Sequence, residues 1–253
     1  MTDLCGWVLG LDTSTQISSV ALARIDSGQI MQIHEGLAAN DESHNEELLP
    51  LIDSLFKKAK LGVEQLSSIM VGAGPGSFTG LRIGFGAAKG LSFALKKPVV
   101  NGCSLTAMAW SGRREGECVF ACSDARRSEY FCRGFLHSSE NEWREILPAG
   151  ILSADALKEV IRTNTGSGTG ATKRVAVICG HPDRGDLEPY RCLEGKAIAQ
   201  NLIEIALNQK ASPTDYNVTQ LSSIQPNYIR PVAAKTIRER LAERLNPQAD
   251  QAG

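Results

Sequence analysis

Net charge is almost absent. The chain of 253 residues carries 27 Lys and Arg against 28 Asp and Glu, a formal charge of -1. That excludes a nucleic-acid binder working through bulk positive charge and leaves room only for a local basic groove. Long apolar runs are missing as well. No stretch reaches about 18 uninterrupted apolar residues, so no membrane-spanning helix and no membrane partner are expected. The N-terminus has no basic region and carries Asp3, Asp12 and Asp26, so no secretory leader is expected either. The seven cysteines contain no Cys-x-x-Cys, and the four histidines contain no His-x-x-x-His. An odd number of cysteines cannot all pair, and a chain of this length needs no staples. A reducing cytoplasm is the expected setting.

What the chain does have is ordinary globular composition, with 42% hydrophobic and 22% charged residues. It can build a full core, as one large domain or two lobes. Trp7 to Leu11, Ser18 to Ile25 and Gln29 to Leu37 read as three strands, and Asp26-Ser27-Gly28 reads as a hairpin turn between the last two. From Asn40 to Lys60 the period changes to that of a helix, with Leu48, Ile52, Leu55 and Ala59 on one side. Ser43 is its expected cap, with Glu46 as capping-box partner, and Pro50 either kinks it or marks a later start. Ser68 to Ala73 predicts a strand, Thr79 to Lys96 a helix, Pro98 to Asn101 a strand and Cys103 to Ser111 a helix.

The second half repeats the theme loosely. Cys118 to Ser123 and Tyr130 to Phe135 predict a hairpin, Ser153 to Ile161 a short helix, Val175 to Cys179 a strand and Lys196 to Leu207 a helix. Thr163 to Thr172 holds four Thr and three Gly with no core-forming residue, which predicts a mobile surface loop over 163–173. Thr236 to Leu245 reads as a charged amphipathic helix. The expected division is an N-terminal lobe of residues 1–112, a C-terminal lobe of 113–235, and a terminal helix with a frayed tail over 236–253.

The strongest local signal is the glycine-rich stretch from Gly72 to Gly84, placed between a strand and a helix. Backbone N–H groups there can hold an anion. No Lys-Ser or Lys-Thr closes the turn, so it is not a Walker loop, and Gly74, Gly76 and Gly80 are spaced one residue too long for a dinucleotide fingerprint. The plain alternative is that the glycines permit a tight turn and close packing. Asp12-Thr13-Ser14-Thr15 has the look of a phosphate-binding hairpin turn, or else of a polar turn capped by its own side chains. Asp12, Thr13, Ser14, Gly74 and Gly76 are therefore the candidate nucleotide-binding residues. His44 at the mouth of the first helix has no helical-spaced partner, and the cysteines read as buried small hydrophobes, so no metal site is expected. Arg126 and Arg127 fall in a charged turn.

Leu9-Gly10-Leu11-Asp12-Thr13-Ser14 with Ser18-Ser19-Val20-Ala21, then His44-Asn45-Glu46-Glu47-Leu48-Leu49-Pro50-Leu51-Ile52, then Gly74 to Gly84, resembles the bacterial TsaB (YeaZ) family of tRNA threonylcarbamoyladenosine biosynthesis proteins. Asn227-Tyr228-Ile229-Arg230 resembles that family's ending. The resemblance implies an α/β, two-lobed fold of the actin, sugar kinase and heat-shock ATPase type with mixed central sheets. It implies a non-catalytic scaffold or activator subunit that dimerises with a TsaD catalytic subunit, joined by a TsaE ATPase. The complex transfers threonylcarbamoyl to N6 of adenosine 37 in tRNAs that read codons starting with adenine, so tRNA is met through the complex. TsaD-type subunits hold a metal with His-x-x-x-His. Here position 44 is His and position 48 is Leu. True ATPases of the superfamily place a glycine where Thr13-Ser14-Thr15 stands, so no cofactor is expected beyond weak ATP or ADP binding within the complex. The alternatives are an ATP-dependent small-molecule kinase of the same superfamily and a homodimeric scaffold unrelated to tRNA.

The expected working surface lies on the two predicted helices. Gly80, Gly84, Gly86 and Gly90 each cost about 1 kcal/mol relative to alanine inside a helix. Gly80, Gly84 and Ala87 are neighbours on the helical wheel, and so are Gly86 and Gly90. With His44, Leu48, Leu51 and Leu55 on the first helix, the set Gly80, Gly84 and Ala87 is the candidate partner interface, for the catalytic subunit or for a second copy. Elemental analysis of the purified protein is expected to find no stoichiometric zinc or iron, and about one transition metal per chain would contradict the cysteine and histidine reading.

Overall fold

The structure, a computed structural model, describes residues 4–38, 44–113, 118–139, 142–166, 173–180, 185–195, 198–211, 213 and 215–230. β1 (Gly6–Asp12), β2 (Ser19–Asp26) and β3 (Gln29–Leu37) form an antiparallel meander. Ser27 and Gly28 turn the chain with φ of 50° and 73°, the left-handed pair a tight hairpin needs. α1 (His44–Ala59) follows, then β4 (Leu66–Gly72), α2 (Phe78–Leu95), β5 (Val99–Gly102) and α3 (Ser104–Ser111). Helix α1 begins before Pro50, which stands inside it, so the later start is excluded. Ser43 lies outside the described residues. β4 runs parallel to β1, and β5 parallel to β4, giving a mixed sheet of order β3-β2-β1-β4-β5.

The second half repeats this plan strand for strand. β6 (Cys118–Arg126), β7 (Glu129–Ser139) and β8 (Glu142–Ser153) are an antiparallel meander. After α4 (Ala154–Thr165) come β9 (Val175–Cys179) and β10 (Cys192–Glu194), parallel to β6 and β9 in turn. Read from its outer meander strand, this sheet has the order β8-β7-β6-β9-β10, the same as the first. α5 (Ile198–Asn208) and α6 (Val218–Ser223) complete the described helices. None of the described helices is long and apolar enough to cross a membrane.

Strand alternation sorts the core into three clusters. Leu9, Leu11 and Leu22 face outward onto Leu48, Ile52, Phe56 and Phe85 of α1 and α2. Their neighbours Val8, Ala21 and Ala23 face the middle of the molecule, where they meet Leu105 and Met108 of α3, Leu202 and Ile203 of α5, and Val119 and Ala121 of the second sheet. Phe120, Cys122 and Tyr130 face away from that middle layer onto Leu157 and Ile161 of α4. The order is therefore helices, sheet, helices, sheet, helix.

The expected boundary at residue 112 separates the sheets but not the middle helices. α3, from the first half, packs on β6, β7 and β9. α5, from the second half, packs on β1, β2 and β4. The two helices hold each other: Asn201 Nδ2 donates to the Ala107 carbonyl at 2.8 Å, and Glu204 accepts from Trp110 Nε1 at 2.7 Å and from Arg113 at 3.1 Å.

Among the described residues, β8, β10, α6 and the one-turn 3-10 helix Val63–Gln65 escaped the sequence. β8 contains Pro148 and Gly150, which weaken a strand signal; as an edge strand with an irregular register it tolerates both. β10 and α6 are too short to carry a period. The expected loop at 163–173 is corrected at its start. Residues 163–165 continue α4, where Thr163 and Thr165 donate their hydroxyls to carbonyls four residues back and Thr165 is buried. The predicted helix Thr236 to Leu245 lies outside the described residues.

Gly10 shows how closely α5 lies on β1, since a Cβ there would stand 2.7 Å from the Ala199 carbonyl oxygen. Gly10→Val should lower the free energy of unfolding by about 3 kcal/mol in urea titration, the upper end for overpacking.

Candidate functional site

The nucleotide candidates do come together, but as an enclosed network. Asp12 ends β1 and is fully buried, and Thr13, Ser14 and Thr15 are buried behind it. One carboxylate oxygen accepts the Ser14 N–H at 2.9 Å and the Ser14 hydroxyl at 2.6 Å. The other accepts the Ser104 hydroxyl at 2.6 Å, at the first residue of α3. The Ser104 hydroxyl oxygen in turn accepts the Gly74 N–H at 3.0 Å, and the Gly74 carbonyl accepts the Ser104 N–H. A carboxylate taken out of water needs such donors.

The glycine-rich turn is shaped to cover this network. Ser77 N–H donates to the Ser14 carbonyl at 2.8 Å, and Thr13 donates its hydroxyl to the Gly80 carbonyl at 2.7 Å. A Cβ would meet Asp12 Oδ2 at 1.7 Å from Gly72, the Ser14 carbonyl oxygen at 2.2 Å from Gly76, the Thr13 carbonyl oxygen at 2.0 Å from Gly80 and Thr13 Oγ1 at 2.4 Å from Gly84. Ser77 caps α2 by accepting the Gly80 N–H at 3.2 Å. The close-packing alternative therefore describes these glycines. Ser104 takes up the Gly74 N–H and carbonyl, and Thr13 takes up the Gly80 carbonyl, where the anion reading had the turn's backbone facing a ligand.

The open surface lies on the far side of α2. Between α1 and α2 runs a groove of about 710 Å³, lined by Leu48, Leu49, Phe78, Arg82, Ile83, Ala87 and Leu91 among others. Leu49 is 56% exposed and Phe78 36%. Arg82 lies 4.1 Å over the Phe78 ring. Gly86 and Gly90 also line the groove, and a Cβ on either would meet nothing within 4 Å.

The expected interface is corrected residue by residue. Leu48 and Ala87 line the groove. Gly80 and Gly84 face Thr13 instead, because that face of α2 packs over the Asp12 loop. Leu55 is in the core, and Leu51 lies over Gly36 of β3. His44 opens α1, and its side chain is outside the described set. Of the two small-residue pairs on the helical wheel, Gly86 and Gly90 form the open one. Leu49, Phe78 and Arg82 were missed. An apolar residue beside the buried stripe, as Leu49 is beside Leu48, was the available signal.

A second cleft of about 390 Å³ opens between the glycine-rich turn, the β6–β7 turn and the extended segment Asn227 to Arg230. That segment ties the halves together. Asn227 N–H donates to the Ala73 carbonyl at 2.7 Å, Tyr228 packs on Phe78 with ring centroids 5.3 Å apart, and Arg230 pairs with Glu129. At the turn Arg126, Arg127 and Ser128 all have positive φ.

Two mixed five-stranded sheets of identical order, with helices between and outside them, define a two-sheet mixed α/β fold. The structure of a Pseudomonas aeruginosa protein described as similar to peptidase YEAZ matches with a TM-score of 0.68 at 24% identity, covering 90% of this chain and 100% of that one. A family model described as TsaD, tRNA N6-adenosine threonylcarbamoyltransferase, matches residues 37–156. The tRNA threonylcarbamoyladenosine biosynthesis protein TsaB of Haemophilus influenzae is 40% identical over 157 residues, covering 58% of this chain and 64% of that protein. TsaB of Bacillus subtilis is 33% identical over 152 residues, 60% of this chain and 64% of that protein. The match thus spans just under two thirds of the length of these relatives. Over that span the chain is similar to TsaB (YeaZ) proteins.

Asp12→Ala removes the acceptor for three buried donors. It should destabilise the fold by on the order of 3 kcal/mol in chemical denaturation. Ser104→Ala, which removes one donor, should cost less.

Proposed function

We propose that this chain is the non-catalytic partner of a TsaD-type catalytic subunit in threonylcarbamoyl transfer to N6 of adenosine 37 of tRNA. The observation that carries this reading is the pairing of an enclosed Asp12 network with an open apolar groove between α1 and α2. An Asp poised for magnesium and nucleotide needs an approach from solvent. Here the glycine-rich turn occupies that approach, which weighs against a kinase. The groove has the features of a docking site for a helix pair: Leu48, Leu49, Ile83 and Leu91 offer apolar area, and Gly86 and Gly90 let a facing backbone come close. The same groove on a second copy is self-complementary and serves a homodimer when the catalytic subunit is absent. In this reading a TsaE-type ATPase joins the cytoplasmic complex, tRNA is met through the assembly, and ATP or ADP binds this chain weakly and only there. The same reading places the fold in the actin, sugar kinase and heat-shock ATPase lineage.

Gly86→Leu and Leu49→Glu separate docking from folding. Gly84→Leu does not, because its side chain would collide with Thr13. Gly86→Leu should raise thermal stability slightly, since leucine is favoured over glycine in a helix by about 0.5–1 kcal/mol. It should nonetheless weaken binding to the catalytic subunit at least tenfold in calorimetry and reduce tRNA modification in the reconstituted system. Both variants binding and supporting modification like wild type would remove the groove from the interface.

A further inference from the structure

A row of cysteines crosses the second sheet. Cys132 on β7 stands opposite Cys122 on β6, and Cys122 opposite Cys179 on β9. Cys192, on the three-residue edge strand β10, is joined to Cys179 by a disulfide, with Cα atoms 5.6 Å apart. Cys132, Cys122 and Cys179 are buried, whereas Cys192 is half-buried. Burial pushes the Cys122 thiol well above its ordinary value, with Cys132 beside it adding to the effect, and burial pushes Cys132 up to about 12. Both therefore stay protonated and do not exchange with the neighbouring disulfide. Solvent reaches the couple at Cys192.

We propose that Cys179 and Cys192 are a reversible thiol–disulfide couple that exchanges with low-molecular-weight thiols through Cys192 and decides whether β10 is stapled to β9. The staple bears on the middle of the molecule. β10 has three residues of pairing, after which Gly195 N–H donates to the Cys179 carbonyl at 2.9 Å. A Cβ on Gly195 would stand 2.7 Å from Met108 of α3. One on Gly180 would stand 2.6 Å from Met108 and 2.7 Å from Thr15, the residue after Ser14 of the Asp12 network. The backbone beyond each cysteine thus rests on α3 or the Asp12 loop.

In reduction, a thiolate attacks Cys192 Sγ and the disulfide bond breaks. Cys179 leaves as a thiolate and takes a proton, and Cys192 carries the mixed disulfide. A second thiolate attacks the small-molecule sulfur of that mixed disulfide, and Cys192 leaves and is protonated. The protein gains two electrons and two protons, and the two small thiols depart as one disulfide. Oxidation by a small disulfide such as oxidised glutathione runs the same steps in reverse.

The full chain, reduced and then equilibrated without oxygen in glutathione buffers of increasing oxidised share, is quenched in acid, alkylated in denaturant and weighed intact. Alkylatable thiols other than the exposed Cys5, which can carry glutathione itself, should fall from six to four, with both losses at Cys179 and Cys192, and should return when the buffer is reversed. Cys179→Ser should take up one glutathione at Cys192, and Cys192→Ser none at the enclosed Cys179. Amide exchange at Leu193 and Gly195 should slow at least tenfold on oxidation. Cys179 and Cys192 both alkylated in oxidised glutathione would overturn the proposal. So would both staying blocked in reduced glutathione, or a disulfide formed between other cysteines.

Discussion

A carboxylate held away from water must be surrounded by donors, and Asp12 is. Its two oxygens take up Ser14, two residues beyond β1, and Ser104 at the start of α3, and Ser104 passes the connection to Gly74. The first strand, the glycine-rich turn and a middle helix are thereby fixed to one point. The glycines between positions 72 and 84 follow from that closeness, because side chains there would occupy the positions of Asp12, Thr13 and Ser14. The protein's own backbone N–H and hydroxyl groups supply the donors that the carboxylate needs.

The middle layer makes the two halves one body. Each sheet repeats the order of the other, but α3 and α5 are exchanged, each lying on the sheet built from the other half of the chain. The Ala-rich inner faces of β2 and β6 suit this, since small side chains leave room for helices on both sides. Removing either half would expose a helix face built for the other. The segment from Asn227 to Arg230 adds a second link across the cleft, from Ala73 and Phe78 to Glu129.

With one side of α2 given to the Asp12 loop, its opposite side is open along the groove beside α1. Glycine costs helix stability at all four of these positions, and its surroundings there are of two kinds. At Gly80 and Gly84 the space is taken by Thr13. At Gly86 and Gly90 the space is open beside exposed Leu49 and Phe78.

Local pattern was enough for most elements. The β1 to β3 meander with its Ser27-Gly28 turn, the period of α1 and α2, and the β6–β7 hairpin were all legible, because alternation and helical spacing are properties of neighbouring residues. The likeness to TsaB proteins was legible in the stretches around Asp12, His44 and Gly74. β8 was hidden by Pro148 and Gly150, and β10 by its length. Tertiary structure alone decided which glycine pair faced inward, where α3 and α5 would lie, and that Cys179 would meet Cys192. A helical wheel ranks the faces of one helix by composition. Which face is buried depends on what arrives from 67 residues away, as Thr13 does at Gly80.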